Sequence, residues 1–152
     1  MGLDMYLNKR TYVENWNHTP KEKRYNITIK RECGHEIKPE RITETIEQIM
    51  YWRKANHIHK FFIDNCADGN DECQEIYIDR STLADLVSAL TIVLHHKDEE
   101  TSTKHLPTTE GFFFGSTMYD EYYYDCCQET LEVINDFLKN EQDGDLWYLA
   151  SW

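Results

Sequence analysis

The stretch with the greatest capacity for chemistry is Tyr51-Trp52-Arg53-Lys54-Ala55-Asn56-His57-Ile58-His59. On a helix, residues three and four apart share a face, which would gather Arg53, Asn56 and His57 beside Trp52. A helix start offers free N–H groups and the positive end of the backbone dipole. An arginine adds a forked donor, so this cluster could hold a phosphate or a carboxylate. The competing reading makes Asn56 and His57 buried braces for neighbouring loops, with Arg53 neutralising acidic residues elsewhere. His57 and His59 are not a zinc pair on a helix, because positions i and i+2 diverge, and the His-Glu-x-x-His pattern is missing.

A second cluster runs from Phe112-Phe113-Phe114-Gly115-Ser116-Thr117 into Tyr119-Asp120-Glu121-Tyr122-Tyr123-Tyr124-Asp125. Aromatic faces can stack a base, hydroxyls can meet polar edges, and glycine lets a ligand approach the backbone. Phe114, Ser116, Thr117, Tyr119 and Tyr123 are the candidates here, against a reading in which the phenylalanines are core and the tyrosines flank a helix. Neither cluster has a serine–histidine–aspartate order, a phosphate-binding P-loop or a dinucleotide glycine fingerprint. A hydrolase would need His57 or His59 as base with Asp120 or Glu121. A metal held by Cys33, His35 and a distant histidine is conceivable, but no metal and no cofactor is expected.

These residues need elements to position them. Alternation of Leu3, Met5 and Leu7 predicts a strand within 2–13, and Tyr25, Ile27 and Ile29 predict another over 25–30. Residues 41–50 suit a strand, with a helix as the alternative. Three- and four-residue spacing predicts a helix over 52–65, and 73–79 reads as a short strand. Ser81 should cap a helix whose apolar stripe is Leu83, Leu86, Val87, Leu90, Val93 and Leu94. Residues 97–105 read as a mobile loop, and 111–116 as a buried short strand between glycines. Thr117 and Asp120 have capping-box spacing ahead of a helix carrying Tyr119, Tyr123, Cys126 or Cys127, Thr130, Ile134 and Phe137. The aromatic tail 146–152 should add a last strand. The sum is a single α+β domain over 1–152, an antiparallel sheet with about three packed helices.

Composition narrows the classes. The chain has 152 residues and a formal charge of -12. That charge is split: residues 1–60 hold twelve Lys/Arg against eight Asp/Glu, and residues 61–152 hold four against twenty. A generic binder of the nucleic-acid backbone is disfavoured, because that needs a net basic footprint. No apolar run is long enough to span a bilayer. No signal peptide is visible, so cytoplasmic residence is expected, with the five cysteines as reduced, buried thiols.

Several motifs resemble a family of small phage and prophage proteins: Met1-Gly-Leu-Asp-Met-Tyr-Leu7, Tyr51–His59, Leu106-Pro107-Thr108, Gly111–Tyr123 and the closing Ser151-Trp152. The resemblance implies a phage context, residence in the host cytoplasm and the company of counter-defence factors, and it carries no activity. The leading expectation is a non-enzymatic accessory protein that captures a small phosphorylated, nucleotide-like ligand. The alternative is an inhibitor that presses its acidic half onto a basic host protein, with a homo-oligomer open in either case.

Overall fold

The computed structural model describes residues 2–152; Met1 of the opening motif lies outside the described residues. Its elements are β1 (Asp4–Tyr12), β2 (Ile29–Lys30), β3 (Glu36–Ile37), β4 (Glu44–Arg53), α1 (Asn56–Cys66), β5 (Ile76–Ile78), α2 (Arg80–His96), α3 (Glu99–His105), α4 (Glu121–Asn140) and β6 (Asp145–Ser151). The fold is α+β, as the patterning predicts, with four α-helices among the described residues where about three were expected.

β1 alternates cleanly: Met5, Leu7, Lys9 and Thr11 are buried while their neighbours face outward. It lies between β4 and β6, and β5 pairs with the far side of β6, giving an all-antiparallel sheet of order β4-β1-β6-β5. The final strand therefore takes an interior place, which buries Leu146, Tyr148 and Ala150. One face of the sheet meets the helices. α2 contributes Leu83, Leu86, Leu90 and Val93, and α4 contributes Tyr123, Cys127, Thr130, Ile134 and Phe137. Trp52 on β4 donates its indole N–H to Thr130 Oγ1 at 2.8 Å, tying sheet to helix inside the core. The opposite face stays open to solvent and carries the ring pairs Tyr6–Tyr51 and Tyr77–Trp147.

Several expectations change on physical grounds. The strand over 25–30 shrinks to a two-residue ribbon with β3, because Tyr25 and Ile29 stay exposed and Ile27 is only half-buried, too little burial to hold a longer strand. The register shift between Leu7 and Asn8 leaves Ile49 as an extra residue in β4, and that strand then runs on through Trp52 and Arg53. The expected loop 97–105 is mostly α3, because the Asp98 carboxylate accepts from both the backbone N and the hydroxyl of Thr101. Residues 111–116 form an irregular turn in which only Phe114 is buried and Phe112 is 77% exposed. Asp120, not Thr117, caps α4, and α2 begins at Arg80 after Asp79 rather than at Ser81. The five thiols are free; Cys127 is buried, whereas Cys33 and Cys73 are exposed. Among the described residues no helix is long and apolar enough to cross a membrane.

Among the described residues Lys9 is the one lysine or arginine buried in the sheet's covered face. Its ammonium reaches Glu141 at 2.5 Å, Glu47 at 3.2 Å and Asp143 at 3.6 Å. The hydrogen bond to Glu141 is the main influence raising its pKa above the usual lysine value, against the opposing pull of burial. The ion cluster closes the turn from α4 into β6. Gly144 (φ +78°) is pressed so close that a Cβ there would stand 2.7 Å from the Lys9 stem. Lys9→Met keeps the packed stem and removes the charge, leaving three carboxylates facing one another. It should cost about 2 kcal/mol in urea unfolding, and an unchanged midpoint would make the cluster ornamental.

Candidate functional site

β4 ends at Arg53, and the chain reverses through Lys54, which takes a left-handed conformation (φ 55°) and donates its backbone N–H to the Leu3 carbonyl at 2.7 Å. Helix α1 therefore starts at Asn56, so Trp52 and Arg53 do not share a helical face with Asn56 and His57. Arg53 is exposed at the strand end, and its carbonyl accepts from the Tyr122 hydroxyl at 2.6 Å. Trp52 is committed to Thr130 in the core.

Asn56 is buried and used on both sides of its amide. Nδ2 donates to the carbonyls of Phe114 (3.1 Å) and Ser116 (2.8 Å), and Oδ1 accepts from Thr109 N at 3.1 Å. The two candidate clusters thus do meet in space, but chiefly by bracing each other. Thr117 takes part through its carbonyl, which accepts from Thr108 Oγ1, and Tyr119 through its hydroxyl, which accepts from Thr108 N. Tyr123 donates its hydroxyl to the Leu106 carbonyl at 2.8 Å, and Ser116 Oγ accepts from Met118 N. Gly115 (φ +90°) lets this loop nest on Lys54, where a Cβ would come within 2.9 Å of the lysine stem. Asp120 is spent on capping α4, through Tyr123 N. His57 is buried against the Tyr123 ring, 4.4 Å between centroids, and its Nε2 has no hydrogen-bond partner among the described residues. Burial alone lowers its pKa to about 3.

What the braced loop builds is a pocket of about 360 Å³ on the other side of α1, lined by His59, Lys60, Asp64, Asp71, Glu110, Phe112, Phe114 and Trp152 among others. Phe114 stands edge-on to the His59 ring (5.2 Å) and close to Trp152 (5.8 Å). His59 is buried and held at both nitrogens: Nε2 lies 2.8 Å from Asp71 Oδ2, and Nδ1 lies 2.6 Å from the Tyr148 hydroxyl. A carboxylate only accepts, which assigns the proton to Nε2 and leaves Nδ1 to accept from Tyr148. With both nitrogens engaged, His59 has no free lone pair to act as a base. It orients Asp71, whose second oxygen accepts from the Trp152 indole at 3.2 Å. Burial is the main cause that raises the Tyr148 hydroxyl pKa, reinforced by the Asp71 charge.

The pocket is acidic. Lys60 is paired with Asp64 at 2.7 Å, while Asp71 meets no Lys or Arg and Glu110 has no ion-pair partner among the described residues. Of the expected ligand-binding residues only Phe114 lines it, together with His59, which was offered only as a hydrolase base. Asp71, Glu110 and Trp152 were outside the expectation. Asp71 sits in an aperiodic polar turn, and Trp152 arrives from the far end of the chain. The available signal was His59 itself, a histidine in the apolar run of α1 that needs partners for two nitrogens.

Two measurements test the bracing. Asn56→Ala should unfold the chain more easily by about 2–4 kcal/mol, because three loop groups lose their partner at once; a loss below 1 kcal/mol would free Asn56 for another role. For His57, the unfolded side chain takes up a proton near pH 6.5 while the folded one resists down to about 3. The unfolded state thus binds more protons in that window, so stability is full above it and falls as the pH drops through it. His57→Phe should flatten the loss between pH 6 and 4 by up to about 1.4 kcal/mol per pH unit, read from urea midpoints across pH. The chain matches no family model, and no curated protein or solved structure is significantly similar to it.

Proposed function

We propose that this chain is a non-catalytic, phage-type accessory protein that binds a basic host protein, taking a lysine or arginine side chain of that partner into the Asp71 pocket. The observation that carries the reading is the Asp71 carboxylate, fixed by His59 and Trp152 and opening between the rings of Phe112, Phe114 and Trp152. A carboxylate framed by aromatic rings suits a cation through charge-assisted hydrogen bonds and the negative faces of the rings. The overall charge of -12 would steer such a partner toward it. Capture of a phosphorylated nucleotide is less well supported: the pocket's one lysine is already occupied by Asp64, and Asp71 and Glu110 would repel phosphate. Catalysis is less well supported again, since His59 is engaged at both nitrogens and Asp120 is spent on a helix cap.

The Trp152 indole N–H is a built-in reporter for NMR titration. N-acetyl-arginine amide should shift it with weak, roughly millimolar affinity, and Asp71→Asn should weaken that binding about tenfold. Adenosine monophosphate should leave the signal in place. A shift caused by the nucleotide and not by the arginine derivative would replace this reading with phosphate-ligand capture.

A further inference from the structure

We propose that residues 14–43 form an arm that docks along α4 of a second copy of this chain, giving a reciprocal dimer. The Val13 N–H donates to the Thr43 carbonyl at 2.8 Å and closes the base of this excursion. Beyond that base nothing is buried from residue 14 to residue 49. The arm nevertheless carries Trp16, Tyr25, Ile29 and Ile37, each 44–50% exposed, and its only sheet is the two-residue pairing of β2 with β3. A ribbon this small is marginal alone, and apolar side chains on both of its strands call for a covering surface.

Charge selects the cover. The arm holds seven Lys/Arg against five Asp/Glu, and among the described residues the only ion pair within it is Lys30–Glu36. On α4, Glu121, Asp125, Glu129, Glu132 and Asp136 recur at three- and four-residue spacing, all exposed, none in a salt bridge with a described residue. Beside that stripe runs a groove of about 290 Å³ between β4 and α4, lined by Tyr51, Arg53, Tyr122 and Cys126 as well as Asp125 and Glu129. The groove can take a ring or an isoleucine while the stripe meets the arm's cations. Among the described residues no ion pair joins the arm to α4, and the ribbon makes no substantial contact with a helix of its own chain, which leaves the acidic stripe for the arm of a second copy. Because each copy carries both surfaces, two such contacts close a two-fold pair. Nucleic acid is the poorer fit for the arm, since the acidic body carried with it would repel phosphates.

Sedimentation velocity of the full chain tests this at about 0.05 M and about 0.5 M salt. The expected result is a dimer at low salt, with the dissociation constant raised about tenfold or more at high salt. The triple variants K21E/K23E/R24E and D125K/E129K/E132K should each be monomeric with unchanged circular dichroism. Mixing the two should restore a dimer, because each then supplies the charge that the other reversed. A monomeric wild type at low salt, a dimer indifferent to both variants, or a mixture that stays monomeric would overturn the proposal. So would a monomer whose arm shifts an oligonucleotide in a gel.

Discussion

A buried carboxamide must be satisfied on both its oxygen and its nitrogen, and Asn56 meets that demand because two carbonyls and one amide of the 106–119 loop converge on it. Much else depends on that convergence. The loop has little apolar surface of its own to bury, apart from Leu106 and Phe114. Its path is set by hydrogen bonds to Asn56, Tyr119 and Tyr123, and its Gly115 turn is set by contact with Lys54. With the loop so held, Phe114 is driven down onto His59, and the pocket acquires its inner wall.

The His59 relay then decides what that pocket can do. Tyr148 reaches His59 only because β6 lies inside the sheet, and Asp71 and Trp152 come from a turn and a chain end on either side. His59 and Tyr148 are buried and depend strongly on their partners, whereas Asp71 and Trp152 carry the relay out to the surface. A histidine so fully engaged is suited to holding a carboxylate still rather than to moving protons. That is the physical ground on which binding rather than catalysis is proposed.

Charge is organised at a larger scale. The basic residues of the first third are mostly on an arm that leaves the body, while the acidic residues cover the helices, α4 above all. Where the two signs do meet inside the fold, at Lys9 with Glu47, Glu141 and Asp143, they fasten the sheet to the last turn. Elsewhere they meet at the surface, as Arg10 with Glu75, Lys30 with Glu36 and Lys60 with Asp64, while the acidic stripe of α4 has no salt-bridge partner among the described residues. A chain that neutralised itself internally would leave no oriented field for a partner to read.

Periodicity alone determined the α+β class, the position of β1, the amphipathic stripes of α2 and α4, and the presence of a closing strand. Each of these rests on local alternation of apolar side chains, which is written in consecutive residues. The sequence also drew attention to 51–59 and 111–123, which the fold joins through Asn56, and offered His59 only as a hydrolase base. Other features were not legible. The start of α1 at Asn56 depends on a bulge opposite Leu7 and Asn8 and on Lys54 contacting Leu3, both outcomes of strand pairing. The bracing roles of Asn56 and Tyr123, the partnership of His59 with Asp71 and Tyr148, and that of Asp71 with Trp152 join residues 12 to 89 positions apart. Such contacts are selected by packing and by the demand that buried polar groups be satisfied, and only the tertiary structure decides them.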